Sequence, residues 1–281
     1  MIEPRTVQTA AAVAAHYDEL DPFYREIWGR HVHHGFWATG RESPEEAVEA
    51  LVDRLAERLA LAPGQKLCDI GCGYGASAVH LAKRHGVHVT GVTISGVQAA
   101  RAREAARSSD RVAIVCRDWL ANGFADAAFD RAYAIESTEH MADKAGFFRE
   151  AFRTLRPGGR LGVAAWLARE GAKAWEVRSL LEPICREGRL PGMGTDTEYG
   201  ELAQEAGFRI ATFEDLTRQV RRTWTICAGR VAHKLATDRS YRRFLLDARS
   251  KNRVFALTLA RLVVAYRTGS MRYGLLIAEK P

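Results

Sequence analysis

The segment Leu67-Cys68-Asp69-Ile70-Gly71-Cys72-Gly73-Tyr74-Gly75 constrains the fold more than any other. A short apolar strand runs into three alternating glycines, and a helical pattern over 76–85 begins directly after. Glycine is needed where the chain takes positive φ or where a ligand must approach the backbone. The start of the following helix offers unpaired N–H groups and a partial positive charge. In an open α/β sheet this place is the carboxyl end of the first strand, beside the topological switch point where ligands bind. The flanking pattern fits such a sheet. Segments 66–71, 87–95, 112–119, 129–137 and 159–167 read as strands, and 76–85, 96–109 and 145–159 as helices, the last closed by Pro157-Gly158-Gly159. A helix over 199–208 ends at Gly207, and 209–217 and 271–280 are the last two strands. The fold class is therefore α/β: a Rossmann-like, mostly parallel seven-stranded sheet with helices on both faces.

Before the first strand, SPEEAVEALVDRLAERLAL predicts a helix. Ser43 caps it, Pro44 suits its first turn, and Glu45 and Glu46 favour the positive end of its dipole. Ala47, Leu51, Leu55 and Leu59 recur at helical spacing. The 281 residues read as one domain: an aromatic-rich N-terminal lid (1–42), a ligand-binding core (43–217 and 271–281) and a helical cap (218–270) inserted before the last strand.

Two ligands compete for the glycine loop. Gly71-x-Gly73-x-x-Ala76 satisfies a dinucleotide fingerprint. Asp69, two residues before the first glycine, would repel a pyrophosphate but answer an ammonium group. The second strand ends in Gly91-Val92-Thr93-Ile94-Ser95, where a dinucleotide site would place an acid for the ribose. The third ends in Arg117-Asp118-Trp119, and the fourth runs into the polar cluster Glu136-Ser137-Thr138-Glu139-His140-Met141. A glycine-rich turn without a ligand is the bland alternative.

CDIGCGYG, GVTIS with Gln98, CRDW and AIESTEHM together resemble class I S-adenosylmethionine (SAM)-dependent methyltransferases. More narrowly, with HYDELDPFYREIWGRHVHHGFW at the front and TWTIC and MRYGLLIAEK at the back, the chain resembles the tocopherol O-methyltransferase-like small-molecule group. The resemblance implies SAM as cofactor and assigns roles. Asp69, Gly71, Gly73 and Gly75 form the methionine-side loop. Thr93, Ile94 and Gln98 meet ribose and adenine, with Gln98 standing in for the missing acid. Asp118 and Trp119 hold the adenine. Tyr17 and Trp37 fold over the cofactor as an aromatic lid, which suits a sulfonium. The implied activity is methylation of a small hydrophobic or aromatic acceptor, most simply at a hydroxyl oxygen. Transfer to carbon or nitrogen, or a non-catalytic SAM- or RNA-binding module, are the alternatives.

For a hydroxyl acceptor a base assists. His140, after the fourth strand, is the first candidate, His34 on the lid the second, and Glu136 a third that can equally be a cofactor contact or a loop-holding acid. Trp166 is a candidate pocket wall. His31, His33 and His34 read as a lid turn rather than a metal site.

Charge is uneven. The net charge of +7 combines −5 over residues 1–217 with +12 over 218–281. The basic stretch is amphipathic, which fits either a solvated cap or one whose apolar side lines the acceptor pocket and whose basic side meets an anionic membrane. No RNA-binding signature accompanies it, so no nucleic-acid partner is expected. With 47% hydrophobic residues the chain is not globally disordered. No apolar run reaches the roughly 18 residues of a spanning helix, and no secretory signal is read. Five cysteines without paired CxxC motifs point to reduced thiols in a cytoplasmic protein.

Overall fold

The carboxyl edge of a parallel sheet collects the turns that follow its strands, and here it collects the glycine loop. In the computed structural model, which describes residues 1–247 and 255–281, β1 (Lys66–Ile70), β2 (His88–Thr93), β3 (Val112–Cys116), β4 (Phe129–Ile135) and β5 (Leu155–Ala168) run parallel. β6 (Arg209–Asp215) and β7 (Met271–Glu279) complete the order β3-β2-β1-β4-β5-β7-β6, with β7 antiparallel to both neighbours. β1 lies between β2 and β4, so the strand order reverses at its end. Asp69 sits there, opposite Gly91 of β2 and Tyr133 of β4.

Helices cover both faces. α1 (Ala10–Ile27) leads, followed by α2 (Pro44–Leu59), α3 (Ala76–His85), α4 (Gly96–Ala105) and α5 (Lys144–Thr154). α6 (Ala174–Glu176) and α7 (Glu182–Glu187) flank a π-helical turn, Val177–Leu181, and α8 (Asp196–Glu205) precedes β6. Between β6 and β7 lie α9 (Thr217–Val220), α10 (Arg222–Thr237), α11 (Arg239–Leu246) and α12 (Phe255–Thr268). Arg249, Lys251, Arg253 and Val254 of the basic stretch lie outside the described residues. No helix among the described residues is long and apolar enough to cross a membrane. The five cysteines are free.

Alternation along the strands divides the core in two. On β7, Leu275 and Ile277 join Leu51, Leu55 and Leu59 of α2 and Trp224 and Leu262 of the cap. Leu276 and Ala278 join Phe147, Phe148 and Tyr199 on the opposite face. α2 starts as its sequence requires: Ser43 Oγ accepts from Glu46 N–H, and Ser43 N–H donates to Glu46 at 2.8 Å.

Two local expectations change. α5 stops at Thr154, not at the Pro157-Gly158-Gly159 turn, and β5 begins at Leu155. A proline lacks the N–H for a helix and pushes the preceding residue toward extended backbone, and Leu155 pairs with Phe129 instead. Segment 174–187, read without assignment, is helical.

Gly162 of β5 is where α2 meets the sheet, and a Cβ there would strike Leu55. Gly162→Ala is expected to destabilise the fold by about 1–3 kcal/mol through overpacking. Denaturant unfolding should show a lower midpoint with an unchanged slope.

Candidate cofactor and acceptor site

Three cavities meet at the carboxyl edge of the sheet. The first, of about 160 Å³, is lined by Tyr17, Gly71, Gly73, Thr93, Ile94, Gln98, Asp118, Trp119, Glu136 and His140. The second, beside it, is lined by Asp69, Gly71, Gly73, Tyr74, Ser77 and Tyr133, with Arg30, His31, Val32 and His33 from the N-terminal segment. The two share Val32, Gly71, Gly73 and Ile135, so they form one run from Asp118 to Asp69. The third, of about 60 Å³, shares Tyr17, Glu136 and His140 with the first. Its other walls include Tyr24, Trp28, Glu139, Trp166, Trp224 and Leu262.

The glycines of the loop have separate tasks. All three take positive φ. A Cβ on Gly71 would strike Ser137, whose hydroxyl bonds the Ile70 carbonyl. A Cβ on Gly75 would meet Ala102 of α4, so Gly75 serves helix packing and lies outside the cavity lining. A Cβ on Gly73 would meet nothing within 4 Å, which leaves its backbone open to a ligand. Loop position is fixed by Gly71 N–H and Cys72 N–H, both donating to the Val92 carbonyl, at 2.8 and 2.9 Å.

Asp69 is buried, and its Oδ2 has no hydrogen-bond partner. Burial pushes its carboxyl up to about 7, against the opposing influence of the neighbouring Tyr133 hydroxyl. Such a group calls for a cation. On the other side, Thr93 Oγ1 donates to Gln98 Oε1 at 2.9 Å, which leaves the Gln98 amide N–H groups as that side chain's donors. Asp118 Oδ1 accepts from Leu120 N–H at 2.9 Å and caps a short 3₁₀ turn, Trp119–Ala121. These groups fit SAM: an unpaired buried acid for an ammonium, an open glycine backbone, and polar groups at the ends of β2 and β3.

Three expected positions are corrected, and a fourth, Glu136, takes the holding role among its alternatives. Trp37 lies in a different cavity, beneath Arg222 and beside Pro44, with its Nε1 donating to the Glu42 carbonyl; it does not cover the loop. Trp119 contributes to the wall, but its indole is buried against Phe147 and donates to the Phe147 carbonyl at 3.3 Å. His34 lines none of the three cavities. It is boxed among Trp166, Trp224, Tyr266 and Tyr273 because its Nδ1 bonds Glu136 at 2.9 Å. Glu136 is a holding acid. Its carboxylate accepts from His34 N–H (2.7 Å), His34 Nδ1, Trp166 Nε1 (2.7 Å) and the Tyr273 hydroxyl (2.8 Å). Burial works to raise Glu136, but the adjacent His34 and these bonds hold it down to about 2, too weak a base for proton removal.

His140 is where the first and third cavities meet. Its Nδ1 faces the Arg189 carbonyl at 3.3 Å, which can only accept, so the proton sits on Nδ1 and the lone pair on Nε2. Tyr17 donates its hydroxyl to that Nε2 at 2.8 Å. Burial, then nearby His16, lowers His140 to about 4, so the imidazole is neutral. Glu139 is buried in the third cavity and raised by burial to about 7, opposed by the Trp166 N–H that it accepts.

α1 lines the first and third cavities. Toward the core, Asp18 accepts from Ser95 and Asp21 pairs with Arg101 at 3.0 Å. Toward the cap, Glu26 pairs with Lys234 at 2.7 Å and accepts from Tyr241, and Arg230 bonds the Ile27 carbonyl at 2.6 Å. Arg30, Tyr24, Trp28 and Trp224 carried no assignment from sequence. The aromatic spacing of the lid was the only signal for Tyr24 and Trp28.

The sequence profile of the family described as mycolic acid cyclopropane synthetase matches residues 5–271. The chain is 33% identical over 279 residues to 27-O-demethylrifamycin SV methyltransferase of Amycolatopsis mediterranei, covering 98% of this chain and 99% of that protein. It is 30% identical to the chloroplastic tocopherol O-methyltransferase of Arabidopsis thaliana, covering 96% and 82%. Among solved structures, the [4+2]-cyclase SpnF superimposes with a TM-score of 0.78 at 30% identity, covering 100% of this chain and 99% of that one.

A cofactor ammonium held by Asp69 would make binding pH-dependent. Its raised carboxyl holds a proton below about 7 in the free protein, and a ligand ammonium stabilises only the ionised form. Affinity for S-adenosylhomocysteine should therefore fall roughly ten-fold between pH 8 and pH 6. Calorimetry in buffers of different ionisation enthalpy should show proton release on binding near neutrality. Asp69→Asn should weaken binding and flatten the profile.

Proposed function

The chain belongs to the mycolic acid cyclopropane synthetase family of SAM-dependent methyltransferases, and we propose that it methylates a hydroxyl oxygen of a small hydrophobic or aromatic acceptor. The observation that carries this reading is the hydrogen bond from the Tyr17 phenol to His140 Nε2. In it, His140 Nε2 accepts from a phenolic hydroxyl at the junction between the loop-side cavity and the aromatic one, which supports a role as base. An acceptor hydroxyl that replaces Tyr17 meets the same lone pair.

When bound, SAM supplies the electrophilic methyl group and a neutral thioether leaving group. The chain's own residues orient the acceptor and accept its proton. His140 Nε2 takes the hydroxyl proton as the oxygen becomes nucleophilic, while Nδ1–H stays on the Arg189 carbonyl and fixes the ring. Tyr24, Trp28, Trp166 and Trp224 surround the acceptor and exclude water. The third cavity, at about 60 Å³, is smaller than the roughly 150 Å³ that holds a benzene ring in an engineered lysozyme cavity. α1 must therefore shift to admit an aromatic acceptor. Tyr17 is the part of α1 that occupies the base.

The relatives that act on 27-O-demethylrifamycin SV and tocopherol are named for O-methylation, which supports the same direction. The [4+2]-cyclase has no counterpart reading here, because a cycloaddition gives a base such as His140 no proton to take. A second reading, transfer to carbon, is favoured by the buried Glu139 among aromatic faces in the third cavity, since such walls stabilise a carbocation.

His140→Ala should lower kcat by about 10²–10⁴-fold and leave S-adenosylhomocysteine affinity within a few-fold. The wild-type rate at saturating ligands should stay flat from pH 8 to roughly pH 5, because the lowered imidazole is protonated only near 4. Turnover is read as S-adenosylhomocysteine formed over a panel of phenols, sterols and alkaloids. Equal rates for wild type and His140→Ala would remove the base. Products methylated only at carbon would move the assignment to the second reading.

A further inference from the structure

The cavity below the glycine loop is lined by one basic and one acidic side chain, Arg30 from the N-terminal segment and Asp69 from the sheet. Asp69 is fixed at the end of β1, and its Oδ2 is buried without a partner. Arg30 follows α1 on the lid, just past Gly29 at positive φ, and makes no hydrogen bond or ion pair among the described residues. The two histidines beside Arg30 add no charge. His33 Nδ1 donates to the His34 carbonyl at 2.8 Å, so its Nε2 accepts from His31 Nδ1 at 3.1 Å, and burial keeps both rings neutral. Among the described residues Arg30 is thus the one cation lining this cavity and Asp69 the one acid. The first residues of the ten-residue α3, Ala76 and Ser77, line it too, and the positive end of that helix favours an anion there.

We propose that Arg30 binds the α-carboxylate of the cofactor's amino-acid end while Asp69 binds its ammonium, so that the zwitterion ties the lid to the sheet. This rests on the cofactor assignment and is independent of the acceptor. An α-amino acid presents both charges within one small group, and no other part of the cofactor does. A guanidinium matches a carboxylate in a planar, two-point geometry that an ammonium side chain lacks. Because Arg30 belongs to the segment after α1 and Asp69 to β1, a cofactor amino-acid end held by both would tie α1 to the sheet. A cofactor fragment lacking that end leaves the lid unlatched.

The test compares S-adenosylhomocysteine with 5′-methylthioadenosine, which keeps the adenosine and thioether but lacks the amino-acid group. By calorimetry, Arg30→Ala should weaken S-adenosylhomocysteine on the order of ten- to a hundred-fold and leave 5′-methylthioadenosine within about two-fold. Arg30→Lys should restore part of the loss. Hydrogen exchange across residues 10–37 should slow with S-adenosylhomocysteine in the wild type, and should not slow with 5′-methylthioadenosine or in Arg30→Ala. The exposed, unpaired position of Arg30 predicts an unchanged melting temperature for the variant, which separates binding from folding. Unchanged S-adenosylhomocysteine affinity, or an equal loss for both ligands, would overturn the proposal. A wild-type chain that binds neither ligand would instead remove the cofactor assignment beneath it.

Discussion

The buried carboxylate of Glu136 is the junction on which the site depends. A carboxylate taken out of water is costly unless donors surround it. Four donors do so here, from three separated parts of the chain: two on His34, the indole of Trp166 on β5, and the hydroxyl of Tyr273 on β7. Glu136 itself sits at the end of β4 with φ +52, a conformation that a side chain other than glycine rarely takes. Its backbone N–H donates to the Ala164 carbonyl of β5. The lid segment is therefore fastened to three strands through one acid. The aromatic box around His34 is the packing consequence. Removing the acid would leave four buried donors without this partner and would loosen the segment that carries Arg30 and Val32 into the cavities.

The remaining attachments of the lid explain where much of the basic charge goes. Lys234 is spent on Glu26, Arg230 on the carboxyl end of α1 and on Glu45, Arg261 on Glu187, and Arg272 on Asp196 and Asp215. These are cap or closing-strand cations facing acids of the lid and core. The division into an acidic front and a basic end is in part complementarity within one molecule. It holds α1 between the core, reached through Ser95 and Arg101, and the helices α10 and α11, reached through Lys234 and Tyr241.

The sheet was legible because its signals are local. Each strand ends at a glycine, a polar turn or a capped helix, and Ser43 with Glu46 announces α2 within four residues. The loop residues Asp69, Gly71 and Gly73 follow from the same local logic. Long-range packing was not legible. Gly75 has the same spacing as its neighbours, yet Ala102, a residue of another helix, decides its task. His34 and Trp37 share one aromatic segment with Tyr17, and only the docking of α1 and α10 sends them to different places. Glu136 and His140 stand four residues apart in one polar cluster. The partners that make one a fastening and leave the other with its lone pair on Nε2, facing Tyr17, come from β5, β7, the lid and Arg189.

Burial moves two ionisable groups of the cavities toward their neutral forms: Asp69 up to about 7, His140 down to about 4. For His140 this means an imidazole that stays neutral at neutral pH, as the proposed base requires. For Asp69 it means that the ionised form is costly until a cation arrives. A pyrophosphate at the same glycine loop would add repulsion to that cost, whereas an ammonium offsets it. The choice between the two ligands that the glycine spacing left open therefore rests on one buried acid. The glycine spacing admits either ligand, and the desolvated acid beneath it favours the cation.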